Sequence, residues 1–196
     1  ASARSREQAG VAEMEVGIPV MGSRETELIR AITGSAHQAR PMVWARMAAP
    51  DLAPALRCGA DTVHLAISVS DTQIERKLGK SRAWVLETIA RYVDLAGGQR
   101  SAVSVGFEDG SRAGAGFLVQ AAQVAQRHGA VRVRYADTLG LLDPFATHAR
   151  IGALRRETGI DIEMHAHNDL GLANANTLAA MLAGATHAST TVNGLG

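Results

Sequence analysis

Two histidines stand two positions apart in the run His165-Ala-His167-Asn-Asp169. Side chains two apart on a β-strand point to the same face, so these imidazoles converge on one point if the run ends a strand. Imidazole nitrogens are common ligands of divalent metals, which polarise carbonyl oxygens. The spacing therefore predicts a metal site at His165 and His167, although a structural histidine pair would show the same pattern.

A catalytic metal site usually has three protein ligands and one open position. The histidine pair is one ligand short, so we expect the third ligand to come from another part of the protein. Imidazole and carboxylate ligands suit Zn, Mn, Fe or Mg to different degrees. The sequence therefore predicts a divalent metal and leaves its identity open.

Carboxylates and a hydroxyl follow two of the apolar runs that precede the histidine pair. Glu108 and Asp109 come directly after residues 102–107, and Thr138 follows residues 131–136. A partly desolvated Glu108 could act as a general acid or base, whereas Asp109 is expected to be a solvated loop residue. The Thr138 hydroxyl could hold a substrate carboxylate or cap the next turn.

Two cationic or titratable residues belong to earlier apolar runs. Arg46 ends the run of residues 42–46, where a guanidinium can bind a substrate carboxylate through two hydrogen bonds. Pairing of Arg46 with Glu15 is an equally good expectation. His64 lies inside the run of residues 62–68, and alternation alone leaves open whether its ring faces the core or the mouth of the site.

Short β-branched or aliphatic runs alternate with helical stretches along the whole chain, as in a parallel α/β sheet. Ser23 is expected to cap a helix through Ile32, and Asp143 followed by Pro144 is typical of an N-cap and a first helical position. The candidate strands are residues 13–17, 42–46, 62–68, 102–107, 131–136, 161–165 and 188–193.

The strands recur at an average spacing of about 29 residues, close to the roughly 31 residues per unit of an eight-stranded TIM barrel. Seven strands are one short, and the chain begins with a helix-like stretch at residues 4–9. The interpretation is therefore one partial TIM-barrel domain over residues 1–196, holding strands two to eight with the first strand missing. A doubly wound sheet is the alternative, but no GxGxxG turn follows a strand.

Composition excludes several classes of protein. The 196 residues are 46% hydrophobic and 20% charged with a formal net charge of +1, unlike a disordered tail or a strongly basic nucleic-acid binder. No apolar run approaches the roughly 18 residues of a membrane span. A single cysteine, Cys58, cannot form an intrachain disulfide, which favours the cytoplasm.

The motifs together resemble the acyl-CoA-condensing synthases of the metal-dependent DRE-TIM metallolyase family, which includes 2-isopropylmalate, citramalate and homocitrate synthases. Five segments carry the resemblance in the family's order: EVGIP at 15–19, FEDGSR at 107–112, ADTLG at 136–140, HAHNDLGLANANTL at 165–178 and TVNGLG at 191–196. Within the family, GIPVMG at 17–22, VWAR at 43–46, SVGFED at 104–109 and TTVN at 190–193 look most like bacterial homocitrate synthases of nitrogen fixation.

The resemblance implies condensation of acetyl-CoA with 2-oxoglutarate, followed by thioester hydrolysis to homocitrate, an organic ligand of the nitrogenase cofactor. It implies that His165 and His167 bind the metal and that Glu108 assists proton transfer at the acetyl methyl group. The side chains that it implies around the oxo acid are those of Arg46, Ser104 and Thr138, and His64 is a further candidate substrate-binding residue. It also suggests a homodimer when full length, and neither nucleic acid nor a membrane is an expected partner.

Part of the family's pattern is not found in residues 1–196. The first-strand segment that carries a metal-ligating carboxylate and a substrate-binding arginine is missing, as is the continuation beyond Gly196. The isolated chain is therefore expected to be poorly stable and inactive. Two alternatives stay open: a 2-isopropylmalate synthase, which takes a branched apolar oxo acid, and an inactive truncated remnant.

Overall fold

The computed structural model describes residue 5 and residues 8–35, 38–98 and 101–192. Within these ranges, seven strands form one sheet in which each strand pairs in parallel with the next along the chain. The strands are β1 (Glu13–Gly17), β2 (Arg40–Arg46), β3 (Thr62–Ser68), β4 (Ala102–Glu108), β5 (Arg132–Asp137), β6 (Asp161–Ala166) and β7 (His187–Ser189).

Helices connect successive strands, as right-handed parallel crossovers require. They are α1 (Ser23–Thr33), α2 (Ala49–Leu56), α3 (Asp71–Gln73), α4 (Arg82–Gly97), α5 (Ala115–Arg127), α6 (Pro144–Thr158) and α7 (Ala173–Leu182). A π-helical turn at Ile74–Leu78 follows α3, and 3-10 turns lie at Pro19–Met21 and Gly110–Arg112. No helix in the described part of the chain is both long and apolar enough to span a lipid bilayer.

The strand order identifies the architecture. A doubly wound sheet reverses its strand order at a switch point, whereas this sheet runs from β1 to β7 without reversal. The sheet also curls on itself, because Arg132 and Arg134 of β5 reach Glu13 and Glu15 of β1, each at 2.8 Å. The fold is an incomplete TIM-type barrel, with β1 and β7 at its two edges.

Alternation along the strands separates the outer core from the barrel interior. Outward positions of β3 to β6 carry aliphatic or aromatic side chains that are buried against the helices, including Leu65, Phe107, Tyr135 and Met164. Inward positions of the same strands are mostly polar or small. The outer layer therefore holds the fold together, and the interior is available for charged and site residues.

Most predicted boundaries agree with the structure to within two residues, and two expectations need correction. Asp143 caps α6 by accepting from the Ala146 amide at 2.8 Å, as predicted. Gly22, rather than Ser23, is the N-cap of α1, and Ser23 is the first helical residue. The last strand covers only His187–Ser189 instead of 188–193, and position 193 lies outside the described residues, as do positions 4, 6 and 7 of the predicted stretch at 4–9.

A buried network of charges fills the barrel interior on the amino-terminal side. Arg132 donates to Glu13 at 2.8 Å, and Arg134 donates to Glu163 at 2.9 Å. Arg132 Nε also lies 2.9 Å from Glu163 Oε2, although this contact lacks hydrogen-bond alignment. Burial alone would raise the pKa of Glu13, but the hydrogen bond and charge of Arg132 hold it below its ordinary value.

Replacement of Arg132 by methionine should lower the free energy of unfolding by about 3–5 kcal/mol, because it leaves the carboxylates of Glu13 and Glu163 buried with fewer partners. The lowered pKa of Glu13 means that the wild type loses this stabilisation as the pH falls from the ordinary glutamate value through the lowered one, so the difference between the proteins should shrink over that range. Denaturant titrations at neutral and acidic pH measure both effects.

The matched control is Arg82→Met, which removes an ion pair with Asp71 in which both side chains are about half exposed. Solvent screens such a pair, so Arg82→Met should lower the free energy of unfolding much less than Arg132→Met does. Equal losses in the two variants would show that the interior network does not stabilise the barrel.

Candidate functional site

The carboxyl ends of the parallel strands meet at one edge of the sheet, which is the active-site face of TIM barrels. Glu108 is the last residue of β4, and Thr138 follows β5 directly. His165 lies within β6, and His167 follows its last residue. The structure thus brings together at this edge four of the predicted site residues, which come from three successive strands.

The two histidine rings lie side by side, as alternation predicts. Their centroids are 5.1 Å apart, with an angle of 62° between the ring planes. Nδ1 of the half-buried His165 is hydrogen-bonded to the Ser189 hydroxyl of β7 at 3.0 Å. This contact fixes the ring of His165 and leaves its Nε2 for another partner.

The environment of His165 keeps its ring neutral. Burial, followed by the positive charges of Arg134 and His167, lowers the pKa of His165 to about 4. A metal ligand must be deprotonated, and a ring with this pKa carries a lone pair throughout the neutral range. The donor chemistry of the pair therefore fits a divalent metal.

The number of ligands is lower than a catalytic metal site requires. Among the described residues, no group of three or more histidine, cysteine, aspartate or glutamate side chains could hold a metal ion. His165 and His167 would therefore supply only two ligands, and a third protein ligand would have to come from outside these residues. Metal binding at this pair stays a prediction.

Glu108 has the environment of a group that exchanges protons. The residue is partly buried, and burial raises the pKa of its carboxyl above the ordinary value. The charges of Lys77, Arg134 and His167 oppose this rise, and Asp109 adds to it. A raised carboxyl pKa brings the group nearer to neutral pH, where general acid and base catalysis is most effective.

The hydrogen bonds around Thr138 distinguish between its two predicted roles, which are binding a substrate carboxylate and capping the next turn. Its Oγ1 accepts from the Asp109 amide at 2.8 Å, so its own proton is left for another acceptor. The turn after β5 is fixed instead by Asp137, whose carboxylate accepts from the amides of Leu141 and Leu142, both at 3.0 Å. Thr138 is therefore not needed to cap this turn, and its hydroxyl can donate to a substrate carboxylate.

His64 faces the barrel interior. Alternation alone had left the direction of its ring open. Its ring is fully buried, and its Nδ1 is hydrogen-bonded to the Ser104 hydroxyl at 3.0 Å. Its Nε2 has no hydrogen-bond partner in the described part of the chain. Gly106 makes room for this ring, because a Cβ there would lie 2.9 Å from His64 Cε1. Burial, then the positive charges of Arg134 and Arg132, lowers the pKa of His64 well below its ordinary value, so the ring is neutral.

Arg46 and Asp109 differ from expectation. Arg46 does not pair with Glu15, because its guanidinium donates to both carboxylate oxygens of Asp51, at 2.8 and 3.0 Å. The Arg46 side chain is 62% exposed, so it lies at the rim rather than inside the barrel. Asp109 is fully buried instead of being a solvated loop residue, since Ser70 and Arg112 hold its carboxylate.

Sequence reasoning missed Ser189, which fixes His165, and Arg134, whose charge acts on both His64 and His165. A signal for Arg134 was present, because Arg132 and Arg134 alternate with aliphatic residues inside a strand. The partner of His165 could not be found, since it depends on the pairing register of β6 with β7, which sets Ser189 opposite His165.

A cavity of about 190 Å³ lies at the opposite, amino-terminal edge of the sheet. Charged and polar side chains from the strand starts line much of it, among them Glu13, Arg40, Arg132 and Asp161. In TIM barrels this end contributes to stability, and chemistry occurs at the other end. The position of the histidine pair, and not this cavity, therefore marks the candidate active site.

Fold and site together define the class: an incomplete TIM-type barrel with two neighbouring histidines and a partly buried carboxylate at its catalytic edge. The HMGL-like family model matches residues 1–196, and the chain belongs to this family. The 2-isopropylmalate synthase 2 of Caldanaerobacter subterraneus subsp. tengcongensis is 43% identical over 194 residues, which are 99% of this chain and 50% of that protein. The homocitrate synthase of Frankia alni is 45% identical over 187 residues, which are 95% of this chain and 53% of that protein.

A solved structure supports the fold independently. The HMG-CoA lyase from Brucella melitensis superposes with a TM-score of 0.76 at 18% identity, covering 97% of this chain and 72% of the lyase. The family model and the curated relatives, rather than this structure, confirm the resemblance to the DRE-TIM metallolyases. The chain spans about half the length of the curated relatives that it matches.

Proposed function

We propose that the protein containing this chain is a homocitrate synthase, which condenses acetyl-CoA with 2-oxoglutarate and water to give homocitrate and CoA. A carbon–carbon bond forms between the acetyl methyl carbon, which loses a proton, and the keto carbon, whose oxygen gains one. Water then cleaves the thioester and releases CoA. The resemblance further supports a role of the product in nitrogenase cofactor synthesis and a homodimer. The single cysteine, Cys58, supports a cytoplasmic location.

Glu108 is the proposed catalytic residue. Its carboxylate would take the proton from the acetyl methyl group, and partial burial with a raised pKa supports this role. His165 and His167 would hold a divalent metal, which as a bound Lewis acid would polarise the keto oxygen. Mg, Mn, Fe and Zn are the candidate metals.

The remaining predicted residues would bind the oxo acid. Thr138 has a hydroxyl proton to donate, and His64 offers a buried Nε2 beside Ser104. Arg46 would bind from the rim. To reach a substrate carboxylate, its guanidinium would have to divide its hydrogen bonds between that group and Asp51 or release Asp51. These groups suit an anionic substrate with several oxygen acceptors.

One observation favours 2-oxoglutarate over a branched oxo acid. On β3 to β6, the inward positions carry no aliphatic side chain larger than alanine; they are Thr62, His64, Ala66, Ser68, Ala102, Ser104, Gly106, Glu108, Arg132, Arg134, Ala136, Asp161, Glu163 and His165. A dicarboxylate would find polar partners on these four strands, whereas an isopropyl group would find large apolar side chains, among the described strands, only on β2, at Met42 and Trp44.

A 2-isopropylmalate synthase is the second candidate, because the Caldanaerobacter relative with that name matches 99% of the chain. The two functions share the acetyl donor and differ in the oxo acid. We expect kcat/KM of the full-length protein to be at least about 100-fold higher with 2-oxoglutarate than with 2-oxoisovalerate, because a polar site left unpaired rejects an apolar analogue strongly. CoA release measures both rates, and the opposite preference would establish the second candidate.

A further inference from the structure

Asp109 has a backbone conformation that side chains rarely adopt. Its φ of 63° and ψ of 36° lie in the left-handed region, and it is the one residue other than glycine with positive φ in the described part of the chain. Such conformations persist only where the surroundings impose them, and they concentrate at functional sites. Asp109 follows the proposed catalytic residue Glu108 directly.

The side chain of Asp109 supplies the constraint. Its carboxylate is fully buried and accepts from the Ser70 hydroxyl, which belongs to the loop after β3. Arg112 donates to the same carboxylate from Nε at 2.9 Å and from Nη2 at 2.6 Å. Asp109 is thus tied both to the neighbouring strand end and to the 3-10 turn that begins after it.

The backbone of Asp109 acts on the next strand end. Its amide donates to Thr138 Oγ1 at 2.8 Å, across 29 positions of sequence. A hydroxyl that accepts this bond directs its own proton elsewhere, so Thr138 can donate that proton to a ligand. The left-handed turn also ends β4 at Glu108. It thereby fixes the position of the Glu108 backbone, and so of its carboxylate, at the end of the strand.

We propose that Asp109 is a positioning residue: its tethered carboxylate imposes the left-handed turn that presents Thr138 as a hydrogen-bond donor to the oxo acid and holds Glu108 at the rim. This inference rests on the proposed function. Asp109 itself touches no substrate, because its carboxylate is buried and occupied by Ser70 and Arg112.

Two substitutions in the full-length protein separate the tether from the backbone conformation. Asp109→Gly permits the left-handed turn but removes the tether, whereas Asp109→Asn keeps both a left-handed preference and an acceptor oxygen. We expect Asp109→Gly to lower kcat/KM for the oxo acid at least about 100-fold and to leave the KM for acetyl-CoA within about threefold. Asp109→Asn should stay within about tenfold of the wild type.

A double-mutant cycle tests the route through Thr138. Thr138→Val should raise the KM for the oxo acid about tenfold in the wild type and less than about threefold in the Asp109→Gly protein, because the donor is already misplaced there. Additive effects of the two substitutions would overturn the inference. A role in stability alone would lower the melting temperature without this coupling.

Backbone hydrogen exchange supplies a readout independent of turnover. The backbone amide at position 109 should exchange faster in Asp109→Gly than in the wild type. In Asp109→Asn it should exchange at a near wild-type rate. Unchanged exchange in Asp109→Gly would overturn the inference whatever the activity. Absence of CoA release by the wild type with any 2-oxo acid would instead refute the proposed function, so the two failures are distinguishable.

Discussion

Replacement of His165 or His167 by alanine is expected to lower kcat/KM for metal-dependent condensation by at least about 100-fold, because each change would remove one of the two proposed nitrogen ligands. Raising the metal concentration should restore part of the activity if the site still binds weakly. Initial rates of CoA release across a titration of divalent metal measure both effects in the full-length protein.

The matched control is His148→Ala, because His148 is exposed on α6 and is not among the site residues. This variant should keep wild-type activity and wild-type metal dependence. If all three alanine variants respond to metal as the wild type does, the histidine pair is structural and the metal is bound by other residues.

Glu108→Gln is expected to lower kcat by about 10²–10⁴-fold with a small change in KM, because the amide keeps the shape of the side chain but cannot accept a proton. Burial raises the pKa of Glu108, so in the wild type the active carboxylate is lost as the pH falls through that raised value. The acid limb of the wild-type profile of kcat against pH should therefore be missing in the variant.

Glu87→Gln on the exposed side of α4 is the control and should leave both kcat and the pH profile unchanged. Retention of full kcat by Glu108→Gln would remove Glu108 from the chemistry. Retention of the acid limb in a weakly active Glu108→Gln protein would assign that limb to another group.

Local patterns in the sequence predicted the secondary-structure elements and the residues at the carboxyl ends of the strands. Short aliphatic runs located six of the seven strands to within two residues at each end, and the two-residue spacing of His165 and His167 predicted their neighbouring rings. Strand ends carry site residues in a parallel barrel whatever the details of packing, so Glu108 and Thr138 could be found in the same way.

Contacts between distant segments were not predictable, because they depend on sheet register. The His64–Ser104 hydrogen bond spans 40 positions, and the Ser70–Asp109 bond spans 39. Asp109 looks like a loop residue in the sequence, and only the fold brings Ser70 and Arg112 to its carboxylate. The Arg46–Asp51 pair is local and could have been found, since an aspartate in the first turn of the next helix lies within reach of the strand end.

The most direct test of the central claim is the stoichiometry of the reaction catalysed by the full-length protein. The protein is incubated with acetyl-CoA, 2-oxoglutarate and a divalent metal, while free CoA is titrated and the product is identified by mass spectrometry. We predict one homocitrate per CoA released, loss of both products with a chelator, and their recovery when metal is restored. CoA release without homocitrate, or equal formation of homocitrate in chelator, would contradict the account.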